Sequence, residues 1–265
     1  MVTRLKNKTI PARQISEFRT RIGQVAERSK DAFFAWFNQA SGADDSFIQG
    51  SWDFGLHIAL PLAPYVSSPK ELTSLEIGHG GGRLLSAAAR HFAKAVGIDI
   101  HNENDLVMKE LYQRGVRNIE LHTADGETIP LPNSSVDIVY SFIVFQHVER
   151  IEVFKAYLRE TYRVLKPGGV GLLYFGRKAK WSINKKAHIL FWLECLAENI
   201  WLPNGFLEIP AEVNHTNLLI TRRFARRLAR TFGFHFLGYV VSHKGVPGGF
   251  DRYGGQHGIL VRKPL

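Results

Sequence analysis

The residues with the most chemical content are Glu76, Asp99, Asp125 and His147, together with Gly78, Gly80 and Gly82 inside LEIGHGGGRL, Leu75 to Leu84. Glycines directly after an apolar run and directly before an alanine-rich helix let backbone N–H groups and the positive helix end approach a polar ligand closely. Asp99 ends the next apolar run, about twenty positions beyond the glycines, where an acidic side chain accepts hydrogen bonds from ribose hydroxyls; capping the following helix is the alternative. His147 is the side chain best matched to taking a proton at neutral pH. This combination predicts a site for a nucleotide-like cofactor beside a proton acceptor. A dinucleotide fingerprint requires its third glycine where Arg83 stands, so the spacing argues against that cofactor.

These residues need a scaffold of alternating strands and helices. Buried strands are expected at Leu72 to Ile77, Ala95 to Ile100, Asn118 to Thr123, Val136 to Phe142 and Val170 to Phe175, each an apolar run bounded by turn residues. A helix carrying Val153, Phe154, Tyr157, Leu158 and Thr161 on one face runs into Lys166-Pro167-Gly168-Gly169, a turn that restarts the chain as a strand. Phe234 to Ser242 and Gly258 to Arg262 are the last strands, joined by a glycine-rich loop with Asp251, Arg252, Tyr253 and His257. Before the first strand, apolar residues from Gln14 to Asn38 recur at helical spacing in one or two helices, broken at Ser41 to Asp45, after which Ser51 to Phe54 lead through Pro61, Pro64 and Pro69.

The pattern acidic-x-G-x-G-x-G led by Glu76, with Asp99, Asp125-Gly126, IPLPNSSVDIVYS and LKPGG in order behind it, resembles the class I S-adenosylmethionine-dependent methyltransferases, of the ubiquinone and menaquinone biosynthesis type. The resemblance covers Leu72 to Phe175 closely and the last two strands loosely. It implies an α/β fold: a Rossmann-like, seven-stranded, mostly parallel sheet with an antiparallel last strand, flanked by helices. It implies residues 1–70 as a basic arm and helical extension packing over the cofactor mouth, and 71–265 as the cofactor-binding domain with a helical insertion at about 177–215. S-adenosyl-L-methionine is the implied cofactor. Its implied contacts are Trp52, Glu76, Gly78, Gly80, Gly82, Asp99, Ile100, Asp125, Gly126, Ser141, Phe142 and Gln146, with Asp125 at the adenine amino group. Trp52 as plain core and Asp125 as an ordinary Asp-Gly turn remain open. His147 is the first candidate for a catalytic base, ahead of His215, Asp251 and His257, and packing against the cofactor is its alternative role.

Composition bounds the setting. The chain has 265 residues, 45% of them hydrophobic, enough for a buried core. Its single cysteine, Cys195, excludes an intrachain disulfide, and no CxxC spacing suggests a structural zinc site, so no metal is expected and a cytoplasmic setting fits. No apolar stretch has the roughly 20 residues of a bilayer span, including the most apolar helical candidate, Ala187 to Leu202. The net charge of +10 points to anionic partners. Arg222, Arg223, Arg226, Arg227 and Arg230 share one face of a helix over Thr221 to Phe232, suited to peripheral association with an anionic membrane or to a plain solvated face. The expected function is methyl transfer to a small molecule, a sugar or a lipid-linked glycan. An RNA or protein methyltransferase and a non-catalytic cofactor-binding protein are the alternatives, and no RNA-binding module is recognisable. Oligomeric state is not legible.

Overall fold

The chain begins with helices because its amphipathic stripe is helical, and in this computed structural model residues 10–178, 188–210, 213–246 and 249–265 are described. The first nine residues of the expected basic arm, and Trp181 with its neighbours, lie outside them. Helix α1 (Ile10–Arg28) is followed by α2 (Lys30–Trp36), whose N-cap Ser29 accepts a hydrogen bond from the Ala32 N–H. The acidic stretch Ala43 to Asp45, expected only as a break, opens α3 (Ala43–Asp53) because two aspartates suit the positive first turn of a helix. The chain then stays helical through a wide π-type turn at Phe54–Ala59 and α4 (Leu60–Leu62), where an irregular lead-in was expected. That turn seats His57 in the core, its ring stacked 4.4 Å from Phe142.

The sheet follows from the apolar runs. In chain order come β1 (Thr73–Ile77), α5 (Arg83–His91), β2 (Lys94–Asp99), α6 (Asn104–Gln113), β3 (Ile119–Thr123), β4 (Val136–Ser141), α7 (Ile151–Val164) and β5 (Leu165–Gly176). After them come α8 (His188–Trp201), β6 (Phe206–Glu208), β7 (Leu218–Ile220), α9 (Arg222–Thr231), β8 (His235–Val246) and β9 (Gly249–Arg262). Strands β3-β2-β1-β4-β5 are parallel neighbours, β9 runs antiparallel against β5, and β8 pairs with β9. These seven match the expected sheet and its antiparallel last strand. Two further strands, β6 and β7, form an antiparallel pair that touches the end of β5 at Gly176–Leu219. The insertion is thus a helix followed by a small strand pair.

Two turns were misplaced by the sequence. Lys166 to Gly169 lies inside β5 as an irregularity between the Val136–Leu165 and Ile138–Val170 pairings, with Gly168 at φ +80°, so the strand starts at Leu165. The expected glycine-rich loop carrying Tyr253 and His257 is strand β9: antiparallel pairing with β8 supplies a partner for every second backbone group, and glycine tolerates such a ladder. The Asp251 side chain lies outside the described residues.

Alternate strand residues feed two cores. Leu172 and Tyr174 join Phe33, Phe34 and Phe54 of the N-terminal helices on one face, whereas Leu173 and Phe175 join Phe154, Leu158 and Ala225 on the other. The N-terminal helices therefore share a core with the sheet.

Candidate active site

Strand order reverses between β1 and β4, and the crevice beyond the carboxyl ends of such strands is where open α/β sheets bind ligands. A cavity of about 950 Å³, counting its open mouth, lies there. Its floor is Ile77, Gly78 and Gly80 after β1, Ile98, Asp99 and Ile100 at the end of β2, and Ile143 and Val144 after β4. Its roof is Ile15, Phe18 and Ile22 of α1 with Trp36 and Phe37 at the end of α2. His147, Val153, Tyr157 and Asn214 close the far side.

The glycine turn needs its glycines. Gly78, Gly80 and Gly82 have φ of +79°, +53° and +77°, and a Cβ on Gly80 would sit 2.8 Å from Phe37. The turn is tethered from several sides. The Gly80 N–H donates to Asp99 Oδ2 at 2.8 Å, while the Gly80 carbonyl accepts from His79 Nδ1 at 2.9 Å and His101 Nε2 at 3.0 Å. Burial works against the Asp99 carboxylate, but His101, His79 and the Gly80 and Ile100 amides outweigh it and hold it ionised below the usual carboxylate range. Burial, reinforced by the His101 charge, pushes His79 down to about 4, so it sits neutral. The ligating atoms of His79, Asp99 and His101 converge, yet each is engaged by these bonds or by Asn104 and the Glu103 amide.

Several assigned contacts lie elsewhere. Trp52 is 65% exposed and lines neither the cavity nor the core, because α3 turns it to solvent; the aromatic wall is Trp36 and Phe37. Asp125 is exposed, and its carboxylate accepts from the Glu127 and Thr128 amides and the Thr128 hydroxyl at 2.7 to 2.8 Å, the ordinary turn reading. Its neighbour Gly126, at φ +95°, does line the cavity, and a Cβ there would strike Ile15 of α1. Glu76 is buried beneath the cavity floor, where it accepts the Tyr140 hydroxyl proton at 3.1 Å; burial pushes its carboxyl up to about 8. Ser141 donates to the Ile77 carbonyl at 3.2 Å, and Phe142 stacks on His57, so both support the floor from below. Gln146 reaches His147 rather than the cavity, its side-chain nitrogen 3.1 Å from Nε2.

His147 is on the cavity wall. Its Nδ1–H donates to the His215 carbonyl at 2.7 Å, which leaves Nε2 as the acceptor; burial lowers its pKa, so the ring is neutral near pH 7. Of the reserve candidates, His215 thus contributes its backbone carbonyl, its side chain being exposed. His257 is buried against Glu198 at 3.0 Å, beneath α8.

Sequence reasoning missed three features. Arg19 of α1 donates to the Ile100 carbonyl at 2.5 Å and the Ala124 carbonyl at 3.0 Å, clamping the roof onto β2 and β3; an arginine on an amphipathic helix looks like any solvated charge. Ile143 has φ +63°, a conformation costly for a β-branched residue, and its N–H is held at 3.1 Å by the Gln256 side chain of β9. Asn214 reaches the cavity from the segment after β6.

Similarity to known proteins agrees with this geometry. A family described as methyltransferase domain matches residues 75–173, the segment from β1 into β5. That match, together with the fold, supports a class I S-adenosylmethionine-dependent methyltransferase. Ubiquinone biosynthesis O-methyltransferase of Agrobacterium fabrum is 27% identical over 145 residues, 54% of each chain. Malonyl-[acyl-carrier protein] O-methyltransferase of Methylococcus capsulatus is 33% identical over 103 residues, 38% of this chain and 36% of that one. The chain thus spans from about a third to about half the length of the curated relatives it matches. A solved S-adenosylmethionine-dependent methyltransferase from Methanosarcina mazei superposes with a TM-score of 0.55 at 19% identity, over 79% of this chain and all of that one. A second, from Mesorhizobium loti, gives 0.53 at 16% identity over 79% and 99%; at such identities the likeness is one of fold.

The family's cofactor is S-adenosylmethionine, and the methyltransferase fold offers it a fitting cradle. Gly78 and Gly80 bring left-handed backbone to the cavity lining, Asp99 presents an ionised carboxylate at the end of β2, and Trp36 and Phe37 supply flat apolar walls.

Proposed function

We propose that this chain transfers a methyl group from S-adenosylmethionine to a small-molecule acceptor. The observation that carries the reading is the one cavity lined by the glycine turn, Asp99 and His147, which joins a cofactor cradle to a proton acceptor. When bound, the cofactor supplies an electrophilic methyl group on a sulfonium. Asp99 and the Gly78 to Gly80 backbone would hold its ribose and amino-acid portions, and the α1 and α2 side chains would exclude water from the reacting atoms. His147 is oriented by the His215 carbonyl, so that Nε2 can take the acceptor's proton once the Gln146 amide yields.

The rest of the lining favours an acceptor with an apolar body. Beyond Asp99, His147, Tyr157 and Asn214 the walls are aliphatic, aromatic or glycine, which leaves few partners for the many hydroxyls of a sugar. Relatives named for ubiquinone, malonyl-carrier and phthiotriol substrates support the small-molecule or lipid-like acceptor among the three expected classes of small molecule, sugar and lipid-linked glycan.

Incubating the purified chain with methyl-labelled cofactor and cell extract, then separating low-molecular-weight from macromolecular fractions, tests the reading. Label in a small apolar product supports it. Label in RNA or protein replaces the acceptor class, and no transfer to any fraction returns the chain to a cofactor-binding role.

A further inference from the structure

Helix α8 is built inside out. It has 14 residues, and its charged side chains point into the protein: Glu194 is buried against Arg177 at 3.3 Å, and Glu198 is buried against His257 at 3.0 Å. Phe191 is its inward apolar anchor, stacked 4.4 Å from Tyr253 of β9. The outward face carries Ile189, Trp192, Leu193, Leu196 and Ile200, exposed by 52 to 79%. Positions 189, 193, 196 and 200 fall on one stripe at helical spacing, so this is a continuous apolar strip and not a scatter of single residues. A helix selected only for packing on the hairpin would place these side chains the other way round.

The strip has a basic and aromatic border. Lys178 lies 5.3 Å from the Trp201 ring, and the Arg222 guanidinium lies 5.3 Å from the Trp192 ring while donating to Cys195 Sγ at 3.3 Å. Arg223, Arg226, Arg227 and Arg230 line a groove along the adjoining α9. Aliphatic residues facing outward, tryptophans at the margin and cations beside them are the arrangement of a helix lying in a lipid–water interface.

We propose that α8 docks this protein on the surface of an anionic bilayer, with its aliphatic strip among the outer acyl chains and the α9 arginines against the headgroups. The arginine face of α9 offers an anionic surface charge alone, and α8 adds an apolar contact beside it. The occupant follows from charge: the chain carries +10, so a second copy on the strip would bring two basic borders together, whereas an anionic lipid surface neutralises them. Crossing is ruled out for α8 by length, since 14 residues span about 21 Å against roughly 30 Å of hydrocarbon. This docking surface shares no residue with the cavity, so it stands apart from methyl transfer.

Co-sedimentation of the full chain with vesicles of phosphatidylcholine alone, or with a quarter phosphatidylserine, tests the proposal at low and high salt. The wild type should bind the serine-containing vesicles at least tenfold more tightly, and lose most of that advantage at high salt. The variant Leu193→Ser/Leu196→Ser/Ile200→Ser should lose at least tenfold while keeping its melting temperature and its cofactor-binding heat. In a separate arm, tail-brominated lipid should quench part of the wild-type tryptophan emission, and Trp192→Phe should reduce that part. Equal binding by wild type and triple variant, no binding by the wild type, or a wild-type dimer that the triple variant dissociates would each overturn the proposal.

Discussion

Glu76 carries a carboxyl buried beneath the cavity floor, where it accepts a hydrogen bond from the Tyr140 hydroxyl. Its position at the end of β1 was legible, but its burial against Tyr140 depends on a helix layer that no local pattern reveals. Because burial raises its folded-state pKa to about 8 from the ordinary 4.5, its contribution to stability is complete below pH 4.5 and is lost as pH rises through 8. Glu76→Gln can still accept the tyrosine proton, so the variant should melt higher than wild type at pH 8 and show a flatter pH profile between 5 and 8. The upper bound on the difference is on the order of 3 to 5 kcal/mol. An unflattened profile between pH 5 and 8 would show that the folded carboxyl keeps its ordinary pKa. His147 gives a kinetic counterpart. Burial lowers its pKa in the free chain, so the ascending limb of kcat/KM against pH should have its midpoint below the ordinary histidine value of 6.5. His147→Gln should reduce kcat by about 10²- to 10⁴-fold with cofactor affinity unchanged; a loss confined to cofactor binding would make it a packing residue. Trp52→Ala, by contrast, should leave cofactor affinity within about twofold, as its exposure removes it from the site.

At the scale of elements, the parallel strands were legible because strands buried on both faces leave unbroken apolar runs, as in Val136 to Ser141. The strand pair β6–β7 was not, because three-residue strands such as Leu218–Ile220 carry no period of their own and exist only through pairing. Nor was the π-type continuation of α3, whose cause is the fit of His57 beneath Phe142. The stripe of α1 was legible as a helix face, but its role as a cavity roof depends on Arg19 reaching two strand-end carbonyls 81 and 105 positions away. Arg19→Ala should therefore loosen the roof without unfolding the chain. We expect the cofactor dissociation constant to rise about five- to thirtyfold, equivalent to ~1–2 kcal/mol of lost hydrogen bonding, with protease cleavage in α1 accelerated. Unchanged affinity with faster cleavage would show that α1 covers the cavity without contributing to binding.

For the whole molecule, two layers of helices around a mostly parallel sheet follow from alternating strands and helices, and the crevice between β1 and β4 follows from the strand order. The glycine turn marked one side of that crevice in the sequence, since Gly78, Gly80 and Gly82 each need a left-handed φ. The other side was invisible: Ile143 is held by Gln256, 113 positions away, and Asn214 arrives from the insertion. Among the described residues no helix is long and apolar enough to cross a membrane. The central claim is that this crevice is an S-adenosylmethionine site organised by the glycine turn and Asp99. Isothermal titration calorimetry of the purified chain with S-adenosylmethionine, its demethylated product and NAD tests it most directly. Binding of the first two at one site per chain, no measurable heat with NAD, and a loss of roughly 1.5 to 3 kcal/mol in Asp99→Ala are the predicted results; preference for NAD, or an Asp99→Ala variant with wild-type affinity, would contradict the account.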